Sequence, residues 1–196
     1  MSKSAARITA IGSYVPEKRL TNLDLEQLVD TNDEWILQRT GIKERRVAGE
    51  HEFTSDISVK AAQDLAERYG KSFDDVDLII VCTMTPDFKT PSVAAMVQAK
   101  LNIPNAGAID LNAACAGFSY GLQMANGLIT SELHKKILVI DILATQRLER
   151  CPFHLSIYFP RYLFSFISSV RSSYSHPNLL LTQQHHPTFS DHTGPR

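Results

Sequence analysis

Val76–Thr83, VDLIIVCT, is a nearly continuous apolar run rich in β-branched residues. Such a run predicts a strand buried on both faces of a sheet. Shorter apolar runs at Arg7–Gly12, Gly107–Asn112 and Lys136–Ile140 predict three more strands. The segments between them predict helices over Leu23–Asp30, Glu34–Thr40, Ser55–Tyr69, Ser92–Leu101 and Ala114–Thr130. The punctuation agrees. Thr21 with Asp24 three residues on forms a capping-box pattern, Asn32 or Asp33 can cap the second helix, and Gly41 and Gly70 stop the second and third. Asp56 and Arg68 suit the two ends of a helix dipole, and Pro91 suits a first helical position. Alternation of this kind predicts an α/β fold with a parallel sheet, right-handed crossovers and helices on both faces.

The pattern stops near residue 141, and composition marks the same break. The chain has 196 residues and a formal charge of −1, but residues 1–141 are net −4 and residues 142–196 net +3. The last lysine is Lys136, and from Cys151 onward there is no alanine and one glycine, with five of the seven histidines and five of the nine prolines. Two units are therefore expected: an α/β part over 1–141 and an atypical tail over 142–196. The apolar stretch 151–170 is interrupted by His154, Pro160 and Arg161, so no membrane span is expected there. Residues 172–196, polar and rich in Pro, His and Ser, read as disordered. Near-neutral charge argues against nucleic-acid binding. Three scattered cysteines fit neither a disulfide framework nor a zinc motif, and the N-terminus has no apolar run of signal-peptide length. A reducing, cytoplasmic setting is the expectation, with no metal.

Two places could carry chemistry. Cys115, in DLNAACAGFSYGL, follows a predicted buried strand and opens a helix. The free N–H groups and dipole of a helix N-terminus favour a thiolate. The small neighbours Ala113, Ala114, Ala116 and Gly117 admit a substrate and leave N–H groups for an oxyanion. The competing reading is a small core cysteine among alanines. Trp35 and Arg39 are four apart and share a helix face. An indole beside a guanidinium can clamp a flat base, although a core tryptophan with a solvated arginine is the simpler reading of the spacing alone. Cys82 reads as core, His51 and His134 as solvated, and Glu44–Arg46 as a surface patch.

The two places together narrow the choice. DTNDEWILQRTGIKERR followed by DLNAACAGFSYGL resembles β-ketoacyl-acyl-carrier-protein synthase III, and ITAIGSYVPEKRLTN, PSVAAMVQAKLNI and NGLITSELHKKILVI extend the resemblance over residues 1–140. It implies a thiolase-like fold of two similar α/β halves, of which this chain holds approximately the N-terminal one. It implies that Cys115 takes an acyl group from acyl-CoA as a thioester, which a carbanion from decarboxylating malonyl-acyl-carrier-protein then attacks. The Cys115 N–H would form part of an oxyanion hole. Trp35 and Arg39 match a pair sandwiching the CoA adenine, Thr31 matches a third adenine contact, and the loop Thr85–Pro91 matches a segment closing the partner's acyl pocket across a homodimer. Thr90 stands where some members place phenylalanine. The implied partners are acyl-CoA and acyl carrier protein, with CoA thioester as substrate and no cofactor.

The resemblance fades at Asp141. The family's decarboxylating histidine and asparagine belong to the second half, and no tail histidine sits in a matching motif. A truncated product with a tail from a shifted frame, inactive in condensation, is the expectation. Another thiolase-superfamily acyltransferase and a non-catalytic fragment pairing with an intact homologue are the alternatives.

Overall fold

The computed structural model describes residues 4–142 and, for the backbone alone, 166–172. The elements run β1 (Ala6–Gly12), β2 (Arg19–Thr21), α1 (Asn22–Glu26), α2 (Asp33–Thr40), β3 (Glu44–Arg46), α3 (Thr54–Tyr69), β4 (Leu78–Cys82), α4 (Val93–Lys100), β5 (Gly107–Leu111), α5 (Gly117–Thr130), β6 (Lys136–Asp141) and β7 (Phe166–Ser172). A single 3-10 turn, Ala114–Ala116, leads into α5.

The main sheet has the order β1-β7-β6-β4-β5. β4 pairs in parallel with both β5 and β6, as the α/β pattern requires. β4 is buried throughout because both its faces are covered. Ile79, Val81, Leu138 and Ile140 point to one side, where Ile57, Ala61 and Leu65 of α3 and Val93 and Val97 of α4 pack. Leu78, Ile80, Cys82, Ile137 and Val139 point to the other, under Ala125 and Ile129 of α5. The two-residue alternation of a strand thus sorts one continuous apolar run into two cores. Each fully buried Ile, Leu or Val contributes about 1.5–3 kcal/mol, so the sheet with α3, α4 and α5 is the rigid frame that carries everything else.

Four features differ from the sequence expectation. First, the sheet is mixed: β7 lies antiparallel between β1 and β6, pairing Arg171 with Arg7 and with Lys136. The tail therefore supplies a strand where patterning predicted none. Strand pairing uses backbone groups, which every non-proline residue carries. Second, β2 and β3 form a separate antiparallel ribbon. Glu44–Arg46 is accordingly half-buried backbone structure rather than a solvated patch, with Arg46 donating to the Pro16 carbonyl. Third, Pro91 precedes the α4 cap rather than opening the helix; Ser92 is the N-cap and accepts from the Ala95 N–H. Helix α1 also ends four residues earlier than expected, since Leu28 and Val29 beyond it are exposed and gain nothing from packing. The proposed division at residue 141 and the tail residues Cys151, His154, His176, His185, His186 and His192 lie at the edge of or outside the described residues.

Candidate functional site

Three strands run parallel here, and in such sheets ligand sites form beyond the C-terminal ends of the strands. β5 ends at Leu111, whose carbonyl accepts from the Thr83 N–H at 3.0 Å. The chain then turns sharply. Ala114 adopts φ 45°, the left-handed region that costs a residue with a Cβ roughly 1–2 kcal/mol. That turn presents Cys115 to solvent. It also starts α5, whose N-cap Ala116 has no side chain able to bond the first N–H groups. The Ala116 N–H instead donates to the Ala113 carbonyl at 3.0 Å and the Gly117 N–H to the Ala114 carbonyl, and the positive end of the helix dipole lies behind Cys115.

Helix α5 reaches this position because glycines let it lie on the strand ends. A Cβ at Gly121 would meet the Cys82 sulfur at 2.6 Å, and one at Gly117 would meet Asp141 Oδ1 at 3.3 Å. Cys82 is a core residue, 1% exposed, and burial, with Asp141 nearby, pushes its thiol up to about 12. It is chemically inert beside the exposed Cys115. Burial likewise pushes the Asp141 carboxyl up to about 6.

The loop Thr83–Pro91 leaves the C-terminal end of β4, next to β5. Thr54 Oγ1 donates to the Thr85 carbonyl at 2.6 Å. Asp87 accepts from the Ser55 N–H at 3.1 Å and 3.3 Å. Asp87 thereby caps α3, because the local N-cap, Phe53, has no side-chain oxygen. Past this strap Phe88, Lys89 and Thr90 are exposed. Cys115 and Thr90 thus belong to the same end of the sheet.

Trp35 and Arg39 are brought together on α2. The Arg39 guanidinium lies 5.0 Å from the centre of the Trp35 ring, a cation–π contact. A flat base held between two layers needs roughly 3.5 Å on each side, so 5.0 Å leaves no gap for a sandwiched ring. The indole is 37% exposed as it stands. Thr31, just before the α2 cap, has a buried hydroxyl with no hydrogen-bond partner among the described residues. Such an orphan fits a position awaiting a polar ligand atom.

Two concavities, of about 600 and 760 Å³, lie elsewhere, one lined by Arg7, Lys71, Asp75 and Lys136 and the other by Tyr14, His51, Glu52 and Lys60. His134 belongs to the N-terminal end of the strands, with Nδ1 3.3 Å from Asp77 Oδ1. Among the described residues, no three His, Cys, Asp or Glu side chains are grouped to hold a metal. No described helix is long and apolar enough to cross a membrane. Asp87 and Asn22 were not singled out by sequence; their partners lie 32 and up to 23 residues away, so no local spacing signals them.

Residues 109–146, which include Cys115, match the family model described as 3-oxoacyl-[acyl-carrier-protein (ACP)] synthase III. The chain is 75% identical over 140 residues to β-ketoacyl-[acyl-carrier-protein] synthase III 2 of Halalkalibacterium halodurans, covering 71% of this chain and 42% of that protein. It is 58% identical over 137 residues to the Bacillus subtilis protein of the same name, covering 70% and 42%. Among solved structures, 3-oxoacyl-[acyl-carrier-protein] synthase III of Aquifex aeolicus superposes with a TM-score of 0.73 at 36% identity, over 87% of this chain and 55% of that one. The priming β-ketosynthase of the R1128 polyketide pathway superposes with a TM-score of 0.77 at 30% identity, over 87% and 51%. The chain spans about two fifths of the length of the curated relatives it matches. Its fold is α/β and thiolase-like, about half of the fold of the solved structures.

Proposed function

We propose that the chain is an N-terminal part of a β-ketoacyl-acyl-carrier-protein synthase III, the family of the relatives it matches, and that it carries the acyl-accepting half of that family's reaction. The observation that carries this reading is the exposed Cys115 on a strained turn, directly before the uncapped N-terminus of α5. The Cys115 sulfur attacks the carbonyl carbon of an acyl-CoA. The carbonyl oxygen becomes an oxyanion that the Cys115 N–H helps to hold. When the oxyanion collapses, the bond to the CoA sulfur breaks, and CoA leaves as its thiol with the proton given up by Cys115. The CoA thioester is substrate, and no cofactor takes part.

In this reading the adenine stacks on Trp35, with Arg39 swung off or backing the indole and Thr31 offering its hydroxyl. Thr90, exposed at the tip of the loop beyond Asp87, borders the acyl pocket of a homodimer. A Thr90→Phe variant narrows that pocket, and its acyl-CoA chain-length profile shortens. Condensation with malonyl-acyl-carrier-protein falls outside this chain. The described histidines do not adjoin Cys115: His134 pairs with Asp77 at the opposite end of the strands. Residues 142–196 are a unit of separate origin, and the protein acts in the cytoplasm.

The test is intact-mass analysis after incubation with acetyl-CoA. A gain of one acetyl group that disappears in Cys115→Ala supports the reading; no gain at millimolar substrate rejects it. A second reading, a non-catalytic fragment pairing with an intact homologue, is favoured by β5. It is an edge strand, and its Ile109 is 42% exposed. Co-elution of the chain with an intact homologue on size exclusion, without acylation, would select it.

A further inference from the structure

Helix α2 is eight residues long, and of its side chains only Ile36 is buried. So small an apolar anchor does not fix the direction of a helix by itself. Much of the rest of its hold comes from one amide on another element, Asn22. Asn22, the first residue of α1, is 1% exposed. Its Nδ2 donates to Asp33 Oδ1 at 2.6 Å and to the Ile42 carbonyl at 2.8 Å. Asp33 is the first residue of α2, and Ile42 follows the glycine that ends it. One side chain therefore grips both ends of the helix. Its Oδ1 accepts from the Arg45 guanidinium on β3, and its own N–H donates to the Lys43 carbonyl at 3.2 Å. The Glu26 carboxylate completes the junction by accepting from the Asp33 N–H at 2.7 Å.

Both amide protons are used, so the site demands an amide. Hydrogen bonds to charged partners are stronger than neutral ones, and removing one buried partner strands the others. Asn22 also stands between the Asp33 carboxylate and the Arg45 guanidinium, relaying attraction between two charges. Among the described residues, the Trp35 and Arg39 side chains rest on each other and go where the helix goes.

We propose that Asn22 is the positioning residue of the nucleotide clamp: by holding both ends of α2 it sets the aim of Trp35 and Arg39 toward the adenine of a CoA thioester. This rests on the reading of α2 as the adenine site. The probe is at hand, since Trp35 is the single tryptophan of the chain. In the full chain, CoA is titrated against Trp35 fluorescence, and acrylamide quenching reports how the indole is packed. Asn22→Ala is expected to weaken CoA binding about tenfold or more and to change acrylamide quenching while circular dichroism keeps the folded signal. Asn22→Asp sets two carboxylates against each other and fails similarly; adding Asp33→Asn reverses the hydrogen bond and recovers part of the binding. Ser58→Ala, which removes a buried hydroxyl bonded to the Thr54 carbonyl within α3, serves as a control that lowers stability without touching α2. Wild-type CoA affinity and quenching in Asn22→Ala overturn the proposal, as does an equal effect from Ser58→Ala. If Asn22→Ala does not fold, the proposal is overturned when Asp33→Asn gives no recovery over Asn22→Asp alone. Absence of any CoA response in the wild type instead overturns the adenine reading; the acrylamide comparison then still decides whether Asn22 fixes the indole.

Discussion

Asp141 is held partly buried at the end of β6, against Gly117 of α5, and burial pushes its carboxyl from 3.8 up to about 6. A folded state that holds a proton more tightly than the unfolded one is favoured at low pH. Its advantage is full below about pH 4 and is lost as pH rises through about 6. Asp141→Asn therefore stabilises the fold near pH 7.5 by about 1–2 kcal/mol, after allowance for solvent screening of a partly exposed group, and the gain shrinks toward pH 4. Urea denaturation of both proteins across that range checks it. A constant gain, or a gain that grows on acidification, contradicts the burial argument. Ala114 behaves inversely to most alanines. Because its φ is 45°, Ala114→Gly is expected to stabilise by roughly 0.5–1 kcal/mol where alanine-to-glycine changes usually destabilise; a fall in Tm would refute it. At this scale the sequence is legible where chemistry is local. The i,i+4 spacing of Trp35 and Arg39 puts them in contact, and the position of Cys115 after a strand exposes it. Asn22 was illegible because its partners lie 11 and 20 residues off and meet only in three dimensions.

Elements divide along the same line. Caps are short-range, so Thr21 with Asp24, Asn32, Gly41 and Gly70 were readable, and each does what its residue type prescribes. Helix α3 is the exception that ties an element to the site. Its N-terminus depends on Asp87, 32 residues later. Asp87→Ala is expected to cost about 1 kcal/mol, the usual value of a lost N-cap. It also loosens the loop, so trypsin cuts after Lys89 faster than in wild type under native conditions. A lower Tm with unchanged cleavage at Lys89 would mean that the strap caps the helix and does not place the loop. The β2–β3 ribbon escaped notice because three-residue strands carry too little alternation to read, and their pairing joins residues 19–21 to 44–46. Gly12 shows the reverse dependence. A Cβ there would meet the Leu65 Cβ and backbone nitrogen at 2.6 Å, so a strand residue is fixed by the helix lying over it.

For the molecule as a whole, the decisive element is the one sequence patterning did not predict. β7 is bonded on both sides, to β1 and to β6, and sits second from the end of the sheet. Ser169 pairs with Ala10 on one side and Leu138 on the other. Ser169→Pro removes a donor in the middle of that ladder and is expected to lower Tm; hydrogen exchange at β1 would rise with it. Unchanged protection of β1 would show that β7 does not hold it. The rest of the architecture followed from apolar runs because parallel strands buried on both faces leave a strong signal. A strand recruited through its backbone leaves almost none.

That placement also sets an order of events during synthesis. β1 leaves the ribosome before the other described strands, yet the strand beside it, where Arg171 pairs with Arg7, is made after all of them. At 5–20 residues per second the interval is roughly 8–30 s. Until it ends, β1 has no strand paired with it and β6 presents a bare edge, and any extended segment that arrives sooner competes for the slot.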